Sequence, residues 1–160
     1  MSAQNQSPAA LGLSFLNTRV VFHRSALEDS EVSVHEHFMP FGEAPPLHLH
    51  HDEDEVFHVI DGVYRVRVGD KEVIARAGDT LVAPKGVPHN FRVESEGGGH
   101  CLVITNGAGF EAFVRELSGV AVREALPVPV APTDAQQQAM VAAGARHGIE
   151  IVGPPMAAAA

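Results

Sequence analysis

The stretch GEAPPLHLHHDEDEVFHVIDG, from Gly42 to Gly62, constrains this chain more than any other. Two of its histidines, His48 and His50, stand two residues apart. Alternate side chains of an extended strand leave on the same face, so both imidazoles project to one side. Pro45-Pro46 lacks backbone donors, which suits the start of a strand and not the centre of a sheet. Four residues then separate His50 from Glu55, enough for the chain to turn and bring a carboxylate back beside the imidazoles on a neighbouring strand. Imidazole and carboxylate brought together are the donors of a transition-metal site. His51 turns away by alternation and reads as a surface residue. Asp52, Glu53 and Asp54 read as a solvated acidic loop, with Asp54 replacing Glu55 only if the register were one residue shorter.

Ten histidines in 160 residues are the one compositional anomaly, and four of them lie between His48 and His58. A hydrophobic content of 45% suits one domain with a substantial core. A formal charge of -9 argues against nucleic acid or an anionic membrane as partner, which leaves a small molecule. The single cysteine, Cys101, excludes an internal disulfide framework and fits a reducing compartment. Its run HCLVIT is apolar and strand-like, so it reads as a buried packing thiol. The segment AALGLSFL is too short for a secretory signal, is interrupted by Gly12 and Ser14, and follows no Lys or Arg. No apolar run reaches the roughly 18 residues of a membrane span. The expectation is a soluble, cytoplasmic protein.

Three parts are expected along the chain: an N-terminal arm over 1–16, an all-β barrel with a following short helix over 17–119, and a linker, helix and tail over 120–160. Val20 to Phe22 fits a short strand, Leu27 to Ser30 a turn, and Glu31 to Phe41 a long alternating segment. In that segment Val32, Val34, Glu36 and Phe38 share one face, and Ser33, His35, His37 and Met39 the other. The pattern does not decide which face is buried. His35 and His37 are expected as exposed strand histidines, with a pocket-lining role the alternative. Glu55–Ile60 and Val63–Val68 form a hairpin around Asp61-Gly62. Lys71–Arg76, Thr80–Ala83, His89–Glu94 and His100–Thr105 continue a series of short strands at regular spacing, as an antiparallel sandwich or barrel requires. Phe110, Phe113, Val114 and Leu117 fall at helical spacing. Thr133 with Gln136 marks the start of a second helix running toward His147. The closing GIEIVGPP could dock as a strand on the sheet or on a second subunit.

If Glu55 faces inward, Phe57 and Val59 do too, while Val56, His58 and Ile60 face out. Tyr64 shares an inward face with Val66 and Val68 and is a candidate pocket hydroxyl. Phe38, Phe41, Phe57 and Phe91 are expected in the core, and Phe57, Tyr64 and Phe91 as pocket lining. In GDTLVAPKGVPHNF, Pro84, Gly86 and Pro88 set a tight turn that delivers His89 to a defined place.

These spacings resemble the two motifs of the cupin superfamily. Gly42, His48, His50, Glu55 and Gly62 meet every position of the first. Gly78, Pro84, Gly86 and His89 meet the second, which departs only at Val93, where the family has asparagine. The resemblance implies a double-stranded β-helix, or jelly-roll barrel, with His48, His50, Glu55 and His89 binding one divalent metal in its mouth. The PPxHxHxxxxE run and the segment from Gly109 to Phe113 look like the small single-domain cupins described as quercetin-dioxygenase-like. Three imidazoles and a carboxylate suit iron, manganese, nickel, cobalt, copper or zinc over calcium or magnesium. By this likeness the expected chemistry is dioxygen insertion into a small phenol or enediol, with Glu55 accepting the hydroxyl proton. An isomerase or epimerase, or a cupin that binds a small ligand without turnover, are the alternatives. The outward pair Val56 and Ile60 and the C-terminal arm point to a homodimer.

Overall fold

Residue alternation with period two governs the chain up to Thr105, and the strands it produces pair only antiparallel. The computed structural model describes residues 12–28, 31–121 and 125–160. Most of the expected N-terminal arm and the end of the Leu27 to Ser30 turn lie outside the described residues. The elements are β1 (Leu13–Phe15), β2 (Thr18–Arg24), β3 (Ser33–Met39), β4 (Pro46–His50), β5 (Glu55–Asp61), β6 (Val63–Val68) and β7 (Lys71–Arg76). They continue with β8 (Thr80–Ala83), β9 (His89–Val93), β10 (Gly99–Thr105), α1 (Gly109–Leu117), β11 (Gly119–Val120), α2 (Asp134–His147) and β12 (Ile149–Pro155). One sheet runs in the order β11-β1-β2-β3-β10-β5-β8 and the other β12-β4-β9-β6-β7. This is the all-β double-stranded β-helix that the sequence implies.

The inner faces supply the core. Phe57 and Val59 of β5, Cys101 and Val103 of β10, Tyr64 and Val66 of β6, and Val93 of β9 are buried together. The β5–β6 hairpin turns at Gly62, whose φ is +95° and where a Cβ would lie 2.8 Å from the Gly98 carbonyl oxygen. Only glycine satisfies both conditions.

β3 corrects one expectation. Ser33, His35, His37 and Met39 pair with Thr105, Val103, Cys101 and Gly99 of β10, and that register turns them all inward. His35 is 0% exposed and His37 5%, so neither is a surface histidine. The more apolar face of β3 is the outer one. There Phe38 stacks on His100 with ring centroids 4.2 Å apart and lies under the Arg19 guanidinium. Phe41, expected in the core, is 46% exposed.

Both helices pack against the barrel for readable reasons. α1 buries Phe110, Phe113 and Val114, together with the carboxylate of Glu111. That carboxylate accepts hydrogen bonds from the hydroxyls of Ser25 and Ser33, the Ala26 N–H and Arg115, which pins the helix to the β2–β3 connection. Thr133 and Gln136 form the capping box of α2, and Gly148 ends it in the left-handed conformation. The chain after α2 returns as β12 on β4, pairing Ile149 with His50 and Ile151 with His48. It thereby covers the edge of the strand that carries two candidate ligands.

Candidate metal centre

His48 and His50 leave β4 on the same face, as period two demands, and β9 lies antiparallel to β4 with His89 directly across from His48. Imidazoles at cross-strand positions stand close, and these two ring centroids are 4.5 Å apart. Glu55 comes from β5 in the opposing sheet. One ligand atom from each of His48, His50, Glu55 and His89 falls within 4.8 Å of the others. The Glu55 Oε2 lies 2.8 Å from His89 Nε2 and 3.4 Å from His50 Nε2.

The outer nitrogens decide what the inner ones offer. His48 Nδ1 lies 2.8 Å from the Pro46 carbonyl oxygen and His89 Nδ1 2.9 Å from that of Val87. A carbonyl can only accept, so each Nδ1 carries the proton and each Nε2 of the neutral ring presents a lone pair to the centre. His50 Nδ1 donates to the Glu53 carboxylate at 3.2 Å, with the same result. Its Nε2 is buried with no hydrogen-bond partner among the described residues. Three inward lone pairs facing a carboxylate repel one another unless a proton or a cation lies between them. The donor set therefore fits a divalent first-row transition metal, with the outer hydrogen bonds fixing ring orientation.

The charge states of Glu55 and His48 agree with this. Burial pushes the Glu55 carboxyl upward, but the imidazoles of His50 and His89 outweigh it and hold its pKa near 2. Burial, together with His89, lowers His48 to about 3. His50 is raised, because Glu55 and Glu53 outweigh its burial. Glu55 is thus an anion and His48 a neutral ring at pH 7.

The acidic loop is another correction. Glu53 is 3% exposed, and its Oε1 accepts both His50 Nδ1–H and, at 2.5 Å, the backbone N–H of Phe110 at the start of α1. A Cβ on Gly107 would lie 2.8 Å from the other oxygen, so the loop is shaped around this carboxylate. Asp54 stays outside the cluster, accepting from the Lys85 N–H and from Asn106. His51 is exposed and bonds Glu150 of β12.

A file of rings leads inward from the cluster. Phe57 stands edge-on to His89 at 6.1 Å, Phe91 lies 5.9 Å from Phe57, and Tyr64 lies 5.8 Å from Phe91. Tyr64 sits two inward-facing positions away from the His89 row, since Val68 pairs with His89 and Tyr64 with Val93. Its hydroxyl lies beside Cys101 and against Gly99. Burial pushes the Cys101 thiol up to about 12, as befits a packing residue. Phe110, which the sequence places only on a helix, covers the cluster: its ring centroid is 5.3 Å from that of His50 and 5.4 Å from that of His35. Glu53 and Phe110 are the supporting residues that sequence reasoning missed. The segment from Gly109 to Phe113 was the one signal for Phe110, and Glu53 had none.

Residues 34–105 match the family described as Cupin domain. They form a cupin domain. The chain is 35% identical over 54 residues to quercetin 2,3-dioxygenase of Bacillus subtilis strain 168, a match covering 34% of this chain and 16% of that enzyme. The chain thus spans a small part of that relative. Among solved structures it is similar to the cupin domain of Schizosaccharomyces pombe Cnp3, with a TM-score of 0.55, 14% identity, and 69% and 79% of the two chains covered. It is also similar to a predicted oxalate decarboxylase of Thermotoga maritima, with a TM-score of 0.52, 19% identity, and 55% and 78% covered. These two likenesses concern the fold. No helix among the described residues is long and apolar enough to cross a membrane.

Proposed function

We propose that this cupin is a metal-dependent oxidoreductase of the dioxygenase type, acting on a small phenolic or enediol substrate. The observation that carries the reading is the convergence of three Nε2 lone pairs and one carboxylate in a buried site. Four protein donors leave positions free on an ion that prefers five or six. When bound there, iron, manganese, nickel, cobalt, copper or zinc supplies Lewis acidity toward a hydroxyl oxygen and, except for zinc, redox capacity.

This chain's residues supply the rest. Glu55 is the one anion among the four donors, so it is the group placed to accept the hydroxyl proton. Phe57, Phe91 and Phe110 wall the site with apolar surface, which excludes water and suits a flat ring. The stretch of identity with quercetin 2,3-dioxygenase supports an electron-rich aromatic substrate. The small-molecule partner is in keeping with the charge of -9, which disfavours nucleic acid. The outward positions of Val56 and Ile60 support a homodimer, and the buried free thiol of Cys101 a cytoplasmic setting.

Oxygen uptake with a panel of flavonols, catechols and enediols, each with first-row metals restored, tests the reading. Consumption of oxygen by at least one pair is expected. An isomerase, an epimerase or a ligand-binding cupin would use the same donors and consume none, so silence across the panel removes the dioxygenase reading.

A further inference from the structure

The second histidine pair has no part in the cluster just described. His35 Nδ1 and His37 Nε2 are 2.9 Å apart, and the two rings are flanked by Phe22 and Phe110. That single hydrogen bond engages one nitrogen of His35. The other, Nε2, is buried and has no hydrogen-bond partner among the described residues. Whichever tautomer the pair adopts, His35 Nε2 is left either as a donor without an acceptor or as an acceptor without a donor. A fully buried polar atom in that position is costly unless something fills it.

Its position says what could. Across β5, β10 and β3, Glu55, Thr105 and Ser33 form one inward row, and Phe57, Val103 and His35 the next. Neighbouring strands are about 4.8 Å apart, so the His35 backbone lies on the order of 10 Å from Glu55, with both side chains entering the same interior. The Phe110 ring touches both His35 and His50, so the lone nitrogen and the metal donors share one wall. A dioxygenated ring with a hydrogen bond at its far end is of about that length. Burial also lowers His35 to about 4 and His37 to about 3, so the pair is neutral and can accept from a hydroxyl or donate to a carbonyl.

We propose that the His35–His37 pair is a hydrogen-bonding subsite for the second oxygen of a dioxygenated substrate whose first oxygen is held at the His48, His50, Glu55 and His89 cluster. The pair thereby selects catechols and enediols over simple phenols. This rests on the substrate class proposed above, but it is separable from the oxygen chemistry.

The test titrates the metal-loaded full chain with 4-nitrocatechol and with 4-nitrophenol. The wild type is expected to prefer the catechol, and His35→Phe, which keeps the stacking on Phe22 and Phe110, is expected to lose roughly tenfold or more of that preference. Metal content and nitrophenol affinity should stay unchanged in the variant, and His35→Gln should recover part of the loss. A catechol preference that survives His35→Phe overturns the subsite, as does failure of the catechol to bind the wild type. Should the variant not fold, the His35 imidazole ¹⁵N shifts of the zinc-loaded wild type decide. They should move with 4-nitrocatechol and not with 4-nitrophenol, and an unmoved signal overturns the proposal. Oxygen uptake separates the two readings. Discrimination without oxygen consumption removes only the dioxygenase, and consumption with undiminished preference in His35→Phe removes only the subsite.

Discussion

Two pairs with the same H-x-H spacing face the interior of this barrel from opposing sheets, and their nitrogens are engaged in opposite ways. On β4, His48 and His50 turn Nδ1 outward, to the Pro46 carbonyl and the Glu53 carboxylate, and aim Nε2 at the centre. On β3, His35 and His37 bond each other. Spacing in a strand fixes which face a side chain takes and leaves open which ring nitrogen it presents. The acceptors next to each ring make that choice: a carbonyl or carboxylate behind the imidazole turns its Nε2 inward as a candidate ligand, and another imidazole makes it one half of a neutral pair.

The strongest way to break this contrast is to remove one ring at a time. His50→Ala or His89→Ala should abolish stoichiometric metal binding while the barrel still folds, whereas His37→Phe should leave one ion per chain. Elemental analysis of the purified variants reads this directly, and a full complement of metal in His50→Ala would sink the ligand assignment.

The next effect lies in the pH dependence of stability. The folded pKa values of His35 and His37, about 4 and about 3, lie below the ordinary value of 6.5. The unfolded chain therefore binds more protons between those limits. The stability from keeping both rings neutral is complete above pH 6.5 and is lost as pH falls toward 4 and then 3. The loss should reach several kcal/mol over that window, since each unit of depression is worth about 1.4 kcal/mol. Denaturant unfolding of the doubly substituted His35→Phe, His37→Phe chain should show a shallower slope than the wild type at equal metal content. Equal slopes would mean that the rings are not held neutral.

A smaller change separates a ligand from its support. Glu53→Ala removes the acceptor behind His50, and metal affinity should fall about 10- to 100-fold, as for other residues that orient a ligand. Competition with a chromophoric chelator measures it, and an affinity equal to wild type would leave Glu53 with only a packing role. The least change is expected at His51→Ala. Its exposed ring bonds Glu150 at the surface, so stability should move by no more than about 0.5 kcal/mol and metal content not at all.

The contrast also shows why parts of the site could be read from the sequence and parts could not. His48, His50, Glu55 and His89 were legible because motif spacing and strand alternation together fix their face. The strand series and both helices were legible because periodicity changes where the element type does. The buried face of β3 was not. Val32, Val34 and Phe38 make the outer face the more apolar one, and only pairing with β10 turns the Ser33, His35, His37 side inward. Glu53 was hidden in a run of acids that composition reads as solvated, and its burial depends on Gly107 and Phe110, more than fifty residues later. Contacts of that range leave no local pattern.

The pairing of β12 with β4 and the bond from Phe110 to Glu53 bear on transplanting this site. Residues 34–105 contain all four candidate ligands, both histidine pairs and Glu53. They lack Phe22, which stacks on His35, the N–H that holds Glu53 behind His50, and the strand hydrogen-bonded along His48 and His50. A graft cut at the limits of the recognisable domain would carry the donor atoms and leave behind the parts that aim them. A chimera needs β2, α1 and β12 from the same parent, and a library that shuffles the barrel against foreign C-terminal segments would scatter its losses around His50 first.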